Sequence, residues 1–214
     1  MDNCILVSEC DSVSLDLFLP ELQLAFDSLP DEIIANYVRE IAIRFCDRTQ
    51  IVQQDLVVDF QCGVPDLILE PMCGMQIVSI IRYDTAAACG DYYSFGNGRD
   101  RSSCDAGLPR FVPPAILRLP VSPSQDRSGA LQIRVGVAPD REACEIPRTL
   151  YQRYHETIIA GVKSELYTIK PYVDAALATR FERIFNNGVT AANIDRLTNF
   201  HRGPVQMRSR KRIV

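Results

Sequence analysis

Only two imidazoles, His155 and His201, and eight thiols, Cys4, Cys10, Cys46, Cys62, Cys73, Cys89, Cys104 and Cys144, are available to hold a metal or run redox chemistry in this 214-residue chain. A zinc knuckle or thioredoxin-type site needs such groups at short, fixed spacing, and no Cys-x-x-Cys pair occurs. The expectation is eight reduced thiols, several of them buried as small apolar residues, and no metal site. Catalytic constellations are missing as well. There is no Gly-x-Ser-x-Gly, no His-Glu-x-x-His and no Walker-type lysine loop, and Gly96-Asn97-Gly98-Arg99-Asp100-Arg101 lacks the third glycine and the strand-to-helix setting of a dinucleotide loop. His155 stands among Tyr151, Tyr154, Ile158 and Ile159, which reads as helix packing. Asp31 with Glu32, and Asp140 with Glu142, read as a helix start and a solvated turn. No catalytic residue and no cofactor is predicted, and the chain is not expected to be an enzyme.

Charge is more informative. Five of the 23 basic residues (Arg202, Arg208, Arg210, Lys211 and Arg212) fall in 202–214, where there is no acid, so residues 1–201 carry 18 basic against 27 acidic residues, a balance of −9. An acidic body thus ends in a basic tail. The tail reads in three ways. It is a solvated terminus, a nucleic-acid-binding segment whose arginines release counterions from phosphates, or a docking arm whose arginine forks engage carboxylates beside a small apolar anchor, Ile213-Val214. Thirteen residues can extend ~43 Å, well past a body with a radius of gyration near ~17 Å, and the docking arm fits that reach best. Against nucleic acid, the acidic body repels a duplex, and no aromatic residue follows Phe200 to stack bases.

The elements that position these groups follow from periodicity. Composition is that of an ordinary globular chain, 47% hydrophobic and 23% charged. No run nears the ~20 apolar residues of a membrane span, and the first residues lack the basic and apolar regions of a secretion signal. Residues 16–29 alternate around Pro20, leaving a short helix and an extended lead-in both open. Ser28, Pro30, Asp31 and Glu32 supply a cap, a first-turn proline and first-turn acids. Ile34, Val38, Ile41 and Phe45, widened by Ile33, Tyr37 and Ala42, then predict an amphipathic helix to about Arg48. Between 50 and 139 the period drops to two, with strands predicted at 54–60, 66–69, 76–83, 115–119 and 130–137, bounded by glycine and proline. Residues 92–107 show no apolar rhythm and read as a hairpin tip or long exposed loop.

Helical spacing returns after Pro147 with Leu150, Tyr154, Ile158, Val162 and Leu166, and again with Val173, Leu177, Phe181, Ile184, Phe185, Val189 and Ala192 as an inward face. Asn187-Gly188 falls inside this second run, where glycine costs ~1 kcal/mol against alanine. The fold class is therefore α+β: a bundle of N- and C-terminal helices with an inserted antiparallel β-rich lobe and an extended C-terminal tail. The divisions are 1–49, a lead-in and first bundle helix; 50–139, the β-rich lobe; 140–201, the C-terminal bundle helices; and 202–214, the basic tail.

Residues 29–49, a proline-started helix closing on Ala42-x-x-Phe45-Cys46-x-x-Thr49, resemble the opening helix of the bacteriophage head-to-tail adaptor (connector) family, similar to tubular protein A of short-tailed phages. Ile146-Pro147 with Tyr154, Ile158 and Gly161 resembles that family's second helix, and Ala178, Phe181, Phe185, Gly188, Val189 and Ala192 its last, where Gly188 becomes a tolerated small residue. The resemblance implies a structural virion protein at the head–tail junction, made in the host bacterial cytoplasm. It implies a homo-oligomeric, dodecameric ring below the portal protein that extends the DNA channel and presents a platform for a tail tube or nozzle protein. Genomic DNA would pass without specific binding, and no membrane is involved. On this reading Arg202, Arg208, Arg210, Lys211, Arg212, Ile213 and Val214 bind the portal, and Tyr92, Tyr93, Phe95, Arg99 and Arg101 contact a neighbouring subunit or tail protein. The runner-up is a nucleic-acid-binding protein using the same basic tail.

Overall fold

The computed structural model describes residues 5–6, 11–85, 109–120, 122–123 and 125–200. In chain order the elements are β1 (Ile5–Leu6), β2 (Ser12–Ser14), a 3-10 helix (Leu15–Phe18), α1 (Leu19–Gln23), α2 (Asp31–Thr49), β3 (Val52–Phe60), β4 (Asp66–Ile68) and β5 (Met75–Thr85). After them come β6 (Arg110–Val112), β7 (Ile116–Arg118), β8 (Arg127–Pro139), β9 (Glu145–Pro147), α3 (Arg148–Leu166) and α4 (Ala175–Phe200). Helices from both ends of the chain pack together in the expected α+β mix; most strands come between them in sequence, but β1 and β2 precede the first helix and pair with β3 and β9.

The stripe Ile34, Val38, Ile41 and Phe45 is fully buried, so α2 forms where its apolar period predicts. Its start differs by one detail. Pro30 is the extended cap residue, and Ser28 makes no cap bond; its hydroxyl pairs with that of Tyr172, and its N–H donates to the same oxygen at 3.0 Å. The helix stops because Gln50 turns left-handed (φ 49°) while its N–H donates to the Cys46 carbonyl at 2.7 Å. That turn delivers the chain directly into β3.

Helix α3 runs antiparallel to both α2 and α4, as pairs along its length show: Tyr154 with Phe45, Arg153 with Asp195, and Tyr167 with Phe181. Two glycines set how closely these helices approach. A Cβ added at Gly161 would lie 2.6 Å from Ile41 Cγ2 and 2.8 Å from Phe185 Cδ2. One added at Gly188 would lie 2.9 Å from Thr157 Cβ, with both outer atoms of that side chain closer still. Helix α4 is therefore continuous through Asn187-Gly188: the propensity cost there is offset by tight packing on α3. Asp174 starts the helix by accepting the Ala176 and Leu177 N–H groups, each at 2.9 Å.

Phe185, Val189 and Ala192 face inward as expected, but Val173 and Ile184 do not, at 59% and 41% exposed. Val173 lies before the helix begins, and Ile184 sits about a third of a turn from Phe185, off the face that α3 covers.

The main sheet has the order β1-β3-β8-β5, antiparallel except for the β1–β3 pair. In β8 Leu131, Ile133, Val135 and Val137 are buried, and up to Val135 they alternate with less buried residues; Arg134 on the opposite face forks onto its cross-strand partner Asp55 at 2.7 and 2.8 Å, while from Val135 to Pro139 both faces are buried. A three-stranded sheet, β4-β7-β6, repeats the device with Arg118 and its partner Asp66 at 2.7 and 2.9 Å. Asp66 is held below the usual carboxylate range chiefly by that hydrogen bond. The pair β2–β9 leads straight into α3. One apolar cluster joins bundle and sheets, from Phe18, Phe26 and Phe45 through Val135 to Leu117.

Candidate functional site

The residues assigned to portal binding, Arg202, Arg208, Arg210, Lys211, Arg212, Ile213 and Val214, and those assigned to subunit or tail contacts, Tyr92, Tyr93, Phe95, Arg99 and Arg101, lie outside the described residues. The elements that carry these two segments are described. At the C-terminal end of α4, Asn193 donates to the Arg48 carbonyl (3.4 Å) and Arg196 to Gln50 Oε1 (2.8 Å), so this end lies at the turn where the bundle meets the sheet. Segment 86–108 follows Thr85, which pairs with Leu131 toward the opposite end of β8 from Gly136 and Gln53. At ~3.3 Å per residue, the eight steps from Val52 to Phe60 separate the two ends of β3 by about 26 Å.

The described surface shows where the body's cations go. Arg44 reaches Glu165 (2.5 Å), Arg118 Asp66 (2.7 Å), Arg134 Asp55 (2.7 Å), Arg148 Asp11 (2.5 Å), Arg153 Asp195 (3.4 Å) and Lys163 Glu21 (2.8 Å). Arg39 donates to the Ala143 carbonyl and to Asn36, and Arg48 to Asn186. Each exposed pair contributes at most ~1 kcal/mol. Together they pair six of the body's 18 cations with carboxylates, and the body's excess of acids over bases sets its field.

Two helix faces stand apart from this network. On α2, Glu32, Glu40 and Asp47 are exposed on the side away from Val38 and Phe45, with Ile33 beside them. On α4, Arg180 and Arg183 are exposed away from the packed side, and the same outer face continues through Ile194 and Leu197, each 55% exposed. Periodicity alone does not reveal the α4 face, because Ile194 and Leu197 belong to no inward stripe. Their signal in the sequence is that they fall opposite Phe185 and Val189 on a helical wheel, with no acid between them and Arg183 on that side.

The residues with chemical potential are occupied structurally. The His155 ring stacks on Phe18 (centroids 5.0 Å apart, planes at 23°) and meets the edge of Tyr151, and its Nδ1 lies 4.0 Å from Glu21, whose other oxygen accepts from Lys163. Of the four described cysteines Cys46 is buried and Cys62, Cys73 and Cys144 are exposed; Cys4, Cys10, Cys89 and Cys104 lie outside the described residues. The three sit in turns, where a small side chain has no core to join. Burial pushes the Cys46 thiol far up, with Asp47 adding to it, so it stays protonated.

Among the described residues no group of three histidine, cysteine or acidic side chains is placed to hold a metal. A depression of about 560 Å³ at the far end of the sheet includes Asp59, Cys62 and Asp126. Both carboxylates are engaged in the turn: Asp59 accepts from Ser128 and Gly129, and Asp126 from the Cys62 N–H. No described helix is long and apolar enough to cross a membrane. Compared with family models and with curated proteins, the sequence finds no match in either.

Proposed function

We propose that this protein is a structural head-to-tail adaptor of a tailed bacteriophage, a ring of identical subunits below the portal that continues the DNA channel and carries the tail. The observation that carries this reading is the segregation of charge. Six of the body's cations pair with the body's own carboxylates, while five cations gather in 202–214, a segment with no acid of its own. Repeated around a channel, an acidic wall repels phosphates and lets the duplex slide. A cationic arm suits carboxylates on a partner above. The fold supports the same reading, since α4 ends beside Gln50, next to one end of β3, while β5 ends at Thr85, level with Val58 near the other.

A filter-binding titration with duplex DNA separates this from the nucleic-acid reading. The adaptor is expected to bind weakly at physiological salt. Tight binding whose log–log salt slope nears about −4.5, the value for five phosphates neutralised by the tail, would overturn the proposal.

A further inference from the structure

We infer that the outer face of α4 is the subunit-contact surface for the outer face of α2 on a second copy of this chain. The two faces are complementary in charge. Glu40 and Asp47 on α2, seven residues apart and so on one side, are exposed carboxylates; Arg180 and Arg183 on α4 are exposed cations. No ion pair within the described chain uses any of these four. Of the other exposed charges nearby, Glu182 stands about a third of a turn from Arg183, toward the packed side, and Arg44, between Glu40 and Asp47 on α2, is paired with Glu165 of its own chain.

The heights also agree. Helices α2 and α4 run parallel, with the Phe45 and Phe185 rings 6.4 Å apart and Arg48 beside Asn186. Arg180 precedes Phe185 by the same five residues that separate Glu40 from Phe45, so the two are level along the bundle. A rotation with no rise therefore carries Arg180 and Arg183 of one copy to the level of Glu40 on the next. Two different faces in contact make a head-to-tail interface, which closes into a ring when the rotation closes and otherwise grows as a filament. Only the closure rests on the proposed adaptor function.

Sedimentation equilibrium of the full chain, up to millimolar concentration at low ionic strength, reads the contact. The wild-type chain is expected to self-associate, less so as salt rises. Glu40→Arg/Asp47→Arg and Arg180→Glu/Arg183→Glu, each alone, are expected to raise the dissociation constant at least about tenfold, since like charges then face each other. An equimolar mixture of the two variants is expected to regain association, because each reversed face then meets its complement; that recovery also shows both variants to be folded. A wild-type chain that stays monomeric, variants that associate as well as wild type, or a mixture that does not recover would each overturn the inference. Truncation after His201 is expected to leave association intact, and its loss would assign the contact to the tail instead. Open-ended growth that still responds to the charge swap would keep the contact and overturn the ring.

Discussion

Ending the chain after His201 is expected to produce a folded body that no longer attaches to the portal. Among the described residues the apolar core ends at Ala192, and the hydrogen bonds tying the end of α4 to the rest of the body come from Asn193 and Arg196. Stability should therefore move little, by less than about 1 kcal/mol, or roughly 2–4 °C in midpoint for a chain this size. Attachment should collapse, because the removed segment holds all five cations that no acid within it balances. A loss of at least about a hundredfold in affinity for the portal ring corresponds to ~2.8 kcal/mol, a modest demand on several arginine–carboxylate contacts at an interface. Binding of the truncated and full chains to an immobilised portal ring, with a thermal melt of each, checks both halves. Undiminished binding by the truncated chain would remove the arm from the account.

Gly188→Ala is expected to destabilise the bundle by about 2 kcal/mol despite the better helix propensity of alanine. Overpacking costs ~1–3 kcal/mol and sometimes more, against a propensity gain of ~1 kcal/mol. The new methyl would fall within 2.9 Å of Thr157 Cβ, an atom close to the backbone of α3 that cannot swing away. A fall of about 4–8 °C in melting midpoint follows. Adding Thr157→Ala removes the two outer atoms of the clash and should recover part of that fall, a coupling that a double-mutant cycle isolates. At Gly161 the obstructing atoms, Ile41 Cγ2 and the Phe185 ring, are both buried, so Gly161→Ala is expected to destabilise the bundle as well.

The bundle was legible because α2 buries a stripe at helical spacing and α3 buries the stripe Leu150, Tyr154, Ile158, Val162 and Leu166, to which packing against both α2 and α4 adds Ile159, Ala160 and Gly161. Strand β8 was legible for the matching reason at a period of two. Three-residue strands such as β2, β6 and β9 are too short to show a period; register with a distant partner creates them. Ser28 looked like a cap because only residue type is visible in a sequence, whereas Tyr172, 144 positions away, claims its hydroxyl and N–H. Ile184 reads as inward in the sequence because an apolar side chain on an outer face has the same hydrophobicity as one in the core.

The candidate site divided along similar lines. The charge imbalance between body and tail needs only counting. The faces of α2 and α4 emerge only when it is known which side of each helix is packed and which body cations are already paired.

Electron microscopy of the full chain mixed with the portal ring encoded by the same genome tests the central proposal most directly. A closed ring of this protein, coaxial with the portal and surrounding an open channel, is the expected image. A portal left bare, or one decorated by isolated subunits at irregular positions, would contradict it.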